Sequence, residues 1–156
     1  SIETLAETLK SGYFHAGTFS SLRKRRHGRP LDTATIPGSR LMAYTCTHDQ
    51  IGNRAAGDRP TAYLTPGQLA VSAALALLTP FTAMVFMGEE WAASTPFQFF
   101  TSHPEPHLAD ATREGRKAEF ADHGWDAAEI PDPQDPETFL GSKLDWAAGI
   151  KISAAF

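Results

Sequence analysis

The stretch LMAYTCTHDQIGNR, residues 41–54, joins an apolar run to a group of polar and charged side chains. Residues 40–47 hold too few polar side chains to alternate with period two, and this pattern predicts a strand covered on both faces, as in a parallel sheet. His48 and Asp49 follow the predicted strand directly. Because functional side chains gather at the carboxyl ends of parallel strands, this pair is a candidate site.

The residues that follow predict a helix and a second strand. TPGQ at residues 65–68 is typical of a helix start, with a threonine N-cap, a proline at the first helical position and a glutamine that completes a capping box. The helix LAVSAALALL should follow, and residues 81–87 form a second apolar run that stops at Gly88 and two glutamates. Strand, helix and strand in this order predict an α/β fold.

The flanking segments carry further patterns. Apolar side chains at helical spacing predict a helix over residues 2–9, and charged residues predict a surface helix over residues 108–121. Residues 11–39, rich in Gly, Ser, Arg and His, predict a long binding loop or lid. Three prolines between residues 130 and 139 predict an extended connection.

Composition limits the classes of protein that fit. The 156 residues suit about one domain or part of a larger one, and a net charge of −4 gives no general attraction to nucleic acid or anionic lipid. Polar residues and a proline interrupt the longest apolar run, so we expect no membrane span. Cys46, the single cysteine, lies in an apolar run, which predicts a buried, inert thiol and a cytoplasmic location. The opening SIETLAETLK is typical of a helix interior, so we expect the molecule to begin upstream of Ser1.

The candidate site has simpler interpretations beside the functional one. A His-Asp pair after a strand is often only a turn with an Asx cap, and no second histidine lies near enough to predict a metal-chelating motif. Glu89 and Glu90 are adjacent on a predicted extended chain, so their side chains should point in opposite directions and at most one should face the site. The basic run at residues 22–29 resembles a nucleic-acid patch in isolation, but a solvated loop is the favoured interpretation.

Longer motifs carry a family resemblance. TCTHDQIGNRAAGDRP followed by FMGEEWAASTPFQFFTSHPEPHLADATREGRKAEF resembles the last part of the catalytic barrel of the maltooligosyltrehalose trehalohydrolase family, within the α-amylase superfamily (glycoside hydrolase family 13). The similarity covers about residues 12–146. HD is shared across the superfamily, whereas HDQIGNRA, MGEEW and PFQFF together indicate this family. Branching enzymes are the nearest alternative.

The resemblance implies a fold and a division of the chain. The expected fold is the C-terminal portion, about the last three strands and their helices, of a (β/α)₈ TIM barrel. Strands six to eight would occupy residues 1–104, a post-barrel helix and the proline-rich connection residues 105–146, and an atypical tail residues 147–156. In the family, the nucleophilic aspartate and the acid/base glutamate precede this segment. The separate chain is therefore expected to be inactive and to leave apolar faces exposed.

The resemblance also implies roles for individual residues. Asp49 corresponds to the third family carboxylate, a transition-state stabiliser, and His48 to the neighbouring sugar-binding histidine. Gln50 and Arg54 are candidates to bind sugar hydroxyls, although Arg54 is equally well explained as a brace for its loop. Trp91 is a candidate to stack on a pyranose ring, with packing against the barrel rim as the alternative. No cofactor and no metal are implied.

The expected activity of the complete enzyme follows from this resemblance. It would hydrolyse the α-1,4-glucosidic bond next to the terminal trehalose of maltooligosyl trehalose, with retention of configuration and without a nucleic-acid or membrane partner. A noncatalytic carbohydrate-binding remnant is the alternative from another class. RNA binding through the basic run is a third and weaker one.

Overall fold

The structure is a computed structural model and describes residues 1–121 and 125–148. Its secondary structure is mixed. The helices are α1 (Ile2–Ser11), α2 (His48–Gly52), α3 (Pro66–Leu77), α4 (Pro106–Ala121) and α5 (Pro136–Gly141). The strands are β1 (Thr18–Ser20), β2 (Arg25–His27), β3 (Met42–Ala43) and β4 (Thr82–Ala83). Short 3₁₀ turns lie at Gly38–Arg40, Pro60–Ala62, Glu89–Trp91 and Ala127–Glu129.

The chain forms two compact units. The first consists of Ser1–Tyr44 and Ala73–Met84, and the second of Thr45–Ser72 together with the described residues from Val85 onward. The first unit contains both pairs of strands. The second contains the candidate site. Most of the tail predicted at residues 147–156 lies outside the described residues.

The predicted parallel pairing of the two apolar runs is confirmed. β3 and β4 are parallel, with Met42 opposite Thr82 and Ala43 opposite Ala83. The prediction of a strand covered on both faces is wrong, because β3 is only two residues long and Met42 is 59% exposed. In the part of the chain that the structure describes, β3 pairs with β4 alone, so packing covers little of it.

The prediction of a loop over residues 11–39 is wrong in its central part. β1 and β2 form an antiparallel hairpin there, and the basic run lies on β2 and the preceding turn. Gly28 closes the base of the hairpin with φ 78°, where an added Cβ would lie 1.3 Å from the carbonyl oxygen of His15. Only glycine fits such a position, so the hairpin depends on it.

The predicted helix start at residues 65–68 is confirmed as the beginning of α3. The backbone nitrogen of Thr65 donates to Oε1 of Gln68 over 2.9 Å, and the backbone nitrogen of Gln68 donates to Oγ1 of Thr65 over 3.3 Å. This is a reciprocal capping box. Only Ala76 of this apolar helix is buried, in agreement with the expectation of exposed apolar faces.

The second unit contains α4 and α5, of which the sequence predicted only α4. α4 confirms the predicted surface helix. The extended connection predicted over residues 130–139 is wrong from Pro136 onward, because that proline begins α5. Proline lacks an N–H and has φ fixed near the helical value, so it is tolerated at the first helical position. Asp135 caps the helix by accepting from the backbone nitrogen of Glu137 over 2.9 Å.

The described residues contain neither a candidate membrane span nor a candidate metal site. No helix there is long and apolar enough to cross a membrane. No group of three or more His, Cys, Asp or Glu side chains there is arranged to hold a metal ion.

Candidate active site

His48 and Asp49 lie in the first turn of α2, and not at the end of a strand as predicted. Thr47 is the N-cap of this helix, and its hydroxyl accepts a hydrogen bond from the backbone nitrogen of Asp49 over 3.1 Å. Oε1 of Gln50 accepts in return from the backbone nitrogen of Thr47 over 2.8 Å. This second capping box fixes the direction in which the helix leaves the preceding chain.

The imidazole and the carboxylate of this turn are both open to solvent. Their side chains are each 69% exposed, and Nε2 of His48 lies 3.2 Å from Oδ1 of Asp49. Imidazole can donate one hydrogen bond or two, and an ionised carboxylate can accept several. The pair can therefore bind the hydroxyl groups of a ligand that approaches from solution.

Gln50 is already engaged within the turn. Besides the backbone nitrogen of Thr47, its Oε1 also accepts from the hydroxyl of Thr47 over 2.6 Å. Its amide nitrogen is the atom left to donate to a sugar. The predicted substrate-binding role of Gln50 thus depends on that nitrogen alone.

Arg54 is held by Asp58, which supports the bracing interpretation of this arginine. Its Nε and Nη2 lie 2.8 and 2.7 Å from Oδ2 of Asp58, and its guanidinium lies 4.5 Å from the ring centre of Tyr63. The hydrogen bond from Arg54 lowers the pKa of the Asp58 carboxyl, and the same bond raises the pKa of Arg54. The ion pair closes the loop that follows α2.

Cys46 lies just before the turn and is 2% exposed. Burial, with a further contribution from the charge of Glu89, raises the pKa of this thiol to about 11. The predicted buried thiol is confirmed. A thiol with this pKa is protonated at neutral pH and is a poor nucleophile.

Glu89 links the end of the second apolar run to Thr45, which precedes the candidate site. One of its carboxylate oxygens accepts from the hydroxyl of Thr45, and the other accepts from the backbone nitrogen of Phe86 over 2.7 Å. Glu90 instead accepts from the backbone nitrogen of Gly88 over 2.8 Å. The contact between Glu89 and Thr45 joins residues 44 positions apart, and no sequence pattern indicated it.

Arg59 fixes the loop that carries Glu89. The arginine is buried, and its Nη1 and Nε donate to the carbonyl oxygens of Met87 and Thr95 over 2.8 and 2.5 Å. Its guanidinium lies 5.3 Å from the ring centre of Phe86. Burial lowers the pKa of Arg59, although nearby groups oppose that effect.

Arg116 of α4 supports the other end of α2. It is 6% exposed, and its Nη2 donates to the carbonyl oxygen of Gly52 and, over 3.3 Å, to that of Arg54. The guanidinium lies over two aromatic rings, 4.8 Å from the ring centre of Phe99 and 4.6 Å from that of Phe120. The sequence predicted α4 only as a surface helix and missed this contact, because its partners lie more than 60 positions away in the chain.

Trp91 is half-buried and in contact with another aromatic side chain. Its ring centre lies 5.3 Å from that of Trp146, with the planes inclined by 50°. This contact agrees with the packing alternative. A role for Trp91 in stacking on sugar stays a prediction.

Comparison with known proteins identifies relatives along nearly the whole chain. No protein-family model matches the sequence. Malto-oligosyltrehalose trehalohydrolase from Mycobacterium tuberculosis is 70% identical over 147 residues, which are 94% of this chain and 25% of that protein. Proteins of the same name from Arthrobacter ramosus and Saccharolobus solfataricus are 61% and 34% identical, and the matches cover 92% and 94% of this chain.

A solved structure also matches nearly the whole chain. The crystal structure of an alpha-amylase-like protein from Salmonella typhimurium superposes with a TM-score of 0.80 at 40% identity, covering 94% of this chain and 24% of that one. The chain spans about a quarter of the length of the curated relatives it matches. By sequence, this chain is therefore a homologue of a quarter-length segment of malto-oligosyltrehalose trehalohydrolases.

Proposed function

We propose that residues 1–156 are the part of a retaining glycoside hydrolase that supplies its transition-state stabiliser. The complete protein would hydrolyse the α-1,4-glucosidic bond next to the terminal trehalose of maltooligosyl trehalose and release trehalose. One observation carries this proposal: the exposed His48–Asp49 pair lies in a segment 70% identical to a named trehalohydrolase. A neutral α-glucan is the substrate class, in keeping with a net charge of −4.

The fold that we propose for the complete protein is a (β/α)₈ barrel of the α-amylase type. Residues 1–104 would contribute strands six to eight, and residues 105–146 the post-barrel helix and its connection. The parallel pair β3 and β4, with α3 between them in the chain, supports this proposal, as does the likeness to the alpha-amylase-like structure. The buried thiol of Cys46 supports a cytoplasmic location.

Asp49 would act by charge and not by forming a bond. A retaining glycosidase passes through an oxocarbenium-like transition state, in which hydrogen bonds to the 2-hydroxyl of the sugar strengthen and contribute several kcal/mol. An ionised carboxylate fixed near that hydroxyl stabilises the transition state more than the bound substrate. His48, at 3.2 Å from Asp49, would donate to neighbouring hydroxyls and orient the ring.

Three further residues would bind substrate in this proposal. Gln50 would donate from its amide nitrogen, Arg54 would present the guanidinium edge not used by Asp58, and Trp91 would contact a pyranose ring. The nucleophilic aspartate and the acid/base glutamate would belong to the complete protein outside residues 1–156. The chemistry would need no metal and no cofactor.

The test is a product analysis on the complete enzyme that contains this segment. Incubation with maltooligosyl trehalose should release trehalose, and proton NMR taken early in the reaction should show the new reducing end as the α anomer. New α-1,6 linkages would instead indicate a branching enzyme. Glucan binding without hydrolysis would support the noncatalytic alternative.

A further inference from the structure

We infer that Glu89 is a positioning residue for the candidate active site and that it acts through the hydroxyl of Thr45. The inference rests on the proposed role of Asp49 and deepens it. Glu89 does not touch the sugar in this account. Its carboxylate sets the place from which the His48–Asp49 turn leaves the preceding chain.

The carboxylate of Glu89 is used at both of its oxygens. One accepts from the Thr45 hydroxyl, and the other from the backbone nitrogen of Phe86. Phe86 and Glu89 are also joined by a backbone hydrogen bond of 2.9 Å. The carboxylate therefore has a fixed position relative to its own turn, and from there it holds Thr45.

The turn that carries Glu89 has a constrained backbone. Gly88 and Ala92, on either side of it, both have left-handed backbone conformations, with φ of 90° and 55°. This conformation costs an alanine roughly 1–2 kcal/mol, so it persists only where the surroundings impose it. Ala93 closes the turn by donating to the carbonyl oxygen of Gly88 over 2.8 Å.

The position of Thr45 affects that of Asp49 because the two residues that follow Thr45, Cys46 and Thr47, are both fixed. Cys46 is almost completely buried, so it has little freedom to absorb a displacement. Thr47, the next residue, caps α2 and accepts from the backbone nitrogen of Asp49. A shift of Thr45 would therefore move the cap, and the exposed carboxylate with it.

Catalysis is sensitive to such shifts. A displacement of about 1 Å costs on the order of 100-fold in rate, whereas a solvent-exposed hydrogen bond to the bound substrate tolerates more movement. Loss of the Glu89–Thr45 contact should thus lower kcat more than it raises KM. Loss of a residue that only stabilised the fold would lower the melting temperature without a selective decrease in kcat.

The test uses the complete enzyme and a cycle of substitutions. Thr45→Val removes the hydroxyl at nearly constant volume, and Glu89→Gln places an NH₂ group against one of two donors. Each should lower kcat by roughly 10-fold with KM within about twofold, and the double variant should be no worse than either one. Thr45→Ser, which keeps a hydroxyl, should restore most of the activity.

Thr138→Val is the control for loss of a threonine hydroxyl away from the candidate site, at a buried position. Its hydroxyl donates to the carbonyl oxygen of Asp132 over 2.7 Å, in the turn before α5, so this variant should lose stability and keep kcat. An unchanged kcat in Thr45→Val would overturn the inference. The inference would also be overturned if the kcat losses of Thr45→Val and Glu89→Gln multiplied in the double variant. An equal kcat loss in Thr138→Val would overturn it as well.

Asp49→Asn separates failure of the inference from failure of the proposed function. If this variant loses kcat while Thr45→Val keeps it, only the positioning role of Glu89 is wrong. If Asp49→Asn keeps kcat, the proposed role of Asp49 is wrong, and the inference about Glu89 falls with it.

Discussion

Two acidic turns follow the two parallel strands, and they use their carboxylates in opposite ways. After β3, the side chain of Asp49 is 69% exposed and its polar contact is with the adjacent His48. After β4, the carboxylate of Glu89 is bound by Thr45 and by the backbone of its own turn. One turn presents its charge to solvent, and the other uses its charge to hold the first turn in place.

Local hydrogen-bond donors explain the difference. In the first turn, Thr47 and Gln50 form a capping box. This cap uses the backbone nitrogen of Asp49 and does not use its carboxylate. In the second turn, the backbone nitrogen of Phe86 donates to the carboxylate of Glu89. Buried donors need acceptors, and an unsatisfied one costs about 1–3 kcal/mol. A carboxylate thus becomes available for function where the backbone already has its partners.

The largest effect should come from the exposed carboxylate. Asp49→Asn in the complete enzyme should lower kcat by about 100- to 1000-fold, the usual cost of losing one electrostatic stabiliser of a transition state. KM should change little, because the substrate itself carries no developing charge. Steady-state kinetics on maltooligosyl trehalose measure both. Asp110→Asn, at a carboxylate that is 71% exposed and paired with Arg113, is the matched control and should retain kcat.

The next effect should come from the brace at the far end of α2. Arg116→Met would leave the carbonyl oxygens of Gly52 and Arg54 without a charged donor and should lower the free energy of unfolding by about 2–3 kcal/mol. Urea unfolding followed by tryptophan fluorescence would measure the loss. Arg113→Met, one turn earlier on α4, should cost less because its side chain is more exposed. Equal losses in the two variants would contradict the bracing role of Arg116.

A smaller effect should follow from a change in the turn that carries Glu89. An added Cβ at Gly88, where φ is 90°, would lie 2.8 Å from Leu144 and 3.0 Å from Ala93. Gly88→Ala should therefore destabilise the protein by about 1–2 kcal/mol and lower kcat through the displaced carboxylate. Gly67→Ala, where an added Cβ would meet open space, should leave stability equal or higher. Thermal unfolding of both variants measures the two changes in stability, and equal changes would contradict this prediction.

The smallest effect concerns the ion pair that closes the loop after α2. The hydrogen bond from Arg54 lowers the pKa of Asp58, so the pair stabilises the fold above the unfolded pKa of about 3.9 and loses this contribution as pH falls further. Asp58→Asn should cost about 0.5 kcal/mol between pH 5 and 7. This cost should shrink below pH 4. A cost that grew with acidity would contradict the direction of the shift.

The parts of the fold that the sequence predicted depend on local signals. The capping box at Thr65 and Gln68, α4 and the parallel pairing all follow from neighbouring residue types or from periodicity. The same threonine and glutamine spacing recurs at Thr47 and Gln50, where the preceding apolar run favours a strand over a helix start. In α5, the closely spaced prolines predict an extended chain, yet Pro136 is the first helical residue.

The candidate site was predictable only in part. His48 and Asp49 stood out through their place after an apolar run and through family resemblance. The residues that hold this turn in place, Glu89 and Arg116, could not be predicted. Their contacts join residues 44 and 64 positions apart in the chain. Such contacts leave no periodic pattern in the sequence. A charged residue on a surface helix gives the same sequence signal whether its side chain faces solvent or contacts a neighbouring loop.

Removing the 2-hydroxyl from the substrate tests whether Asp49 stabilises the transition state through that hydroxyl. The measurement is the ratio of kcat/KM for maltooligosyl trehalose to that for the analogue lacking the 2-hydroxyl at the cleaved glucosyl unit, in the native enzyme and in Asp49→Asn. The intrinsic reactivity of the analogue cancels between the two enzymes. A ratio at least 10-fold larger for the native enzyme is predicted, since a hydrogen bond to a charged group contributes about 1.5–3 kcal/mol. Equal ratios would contradict the claim.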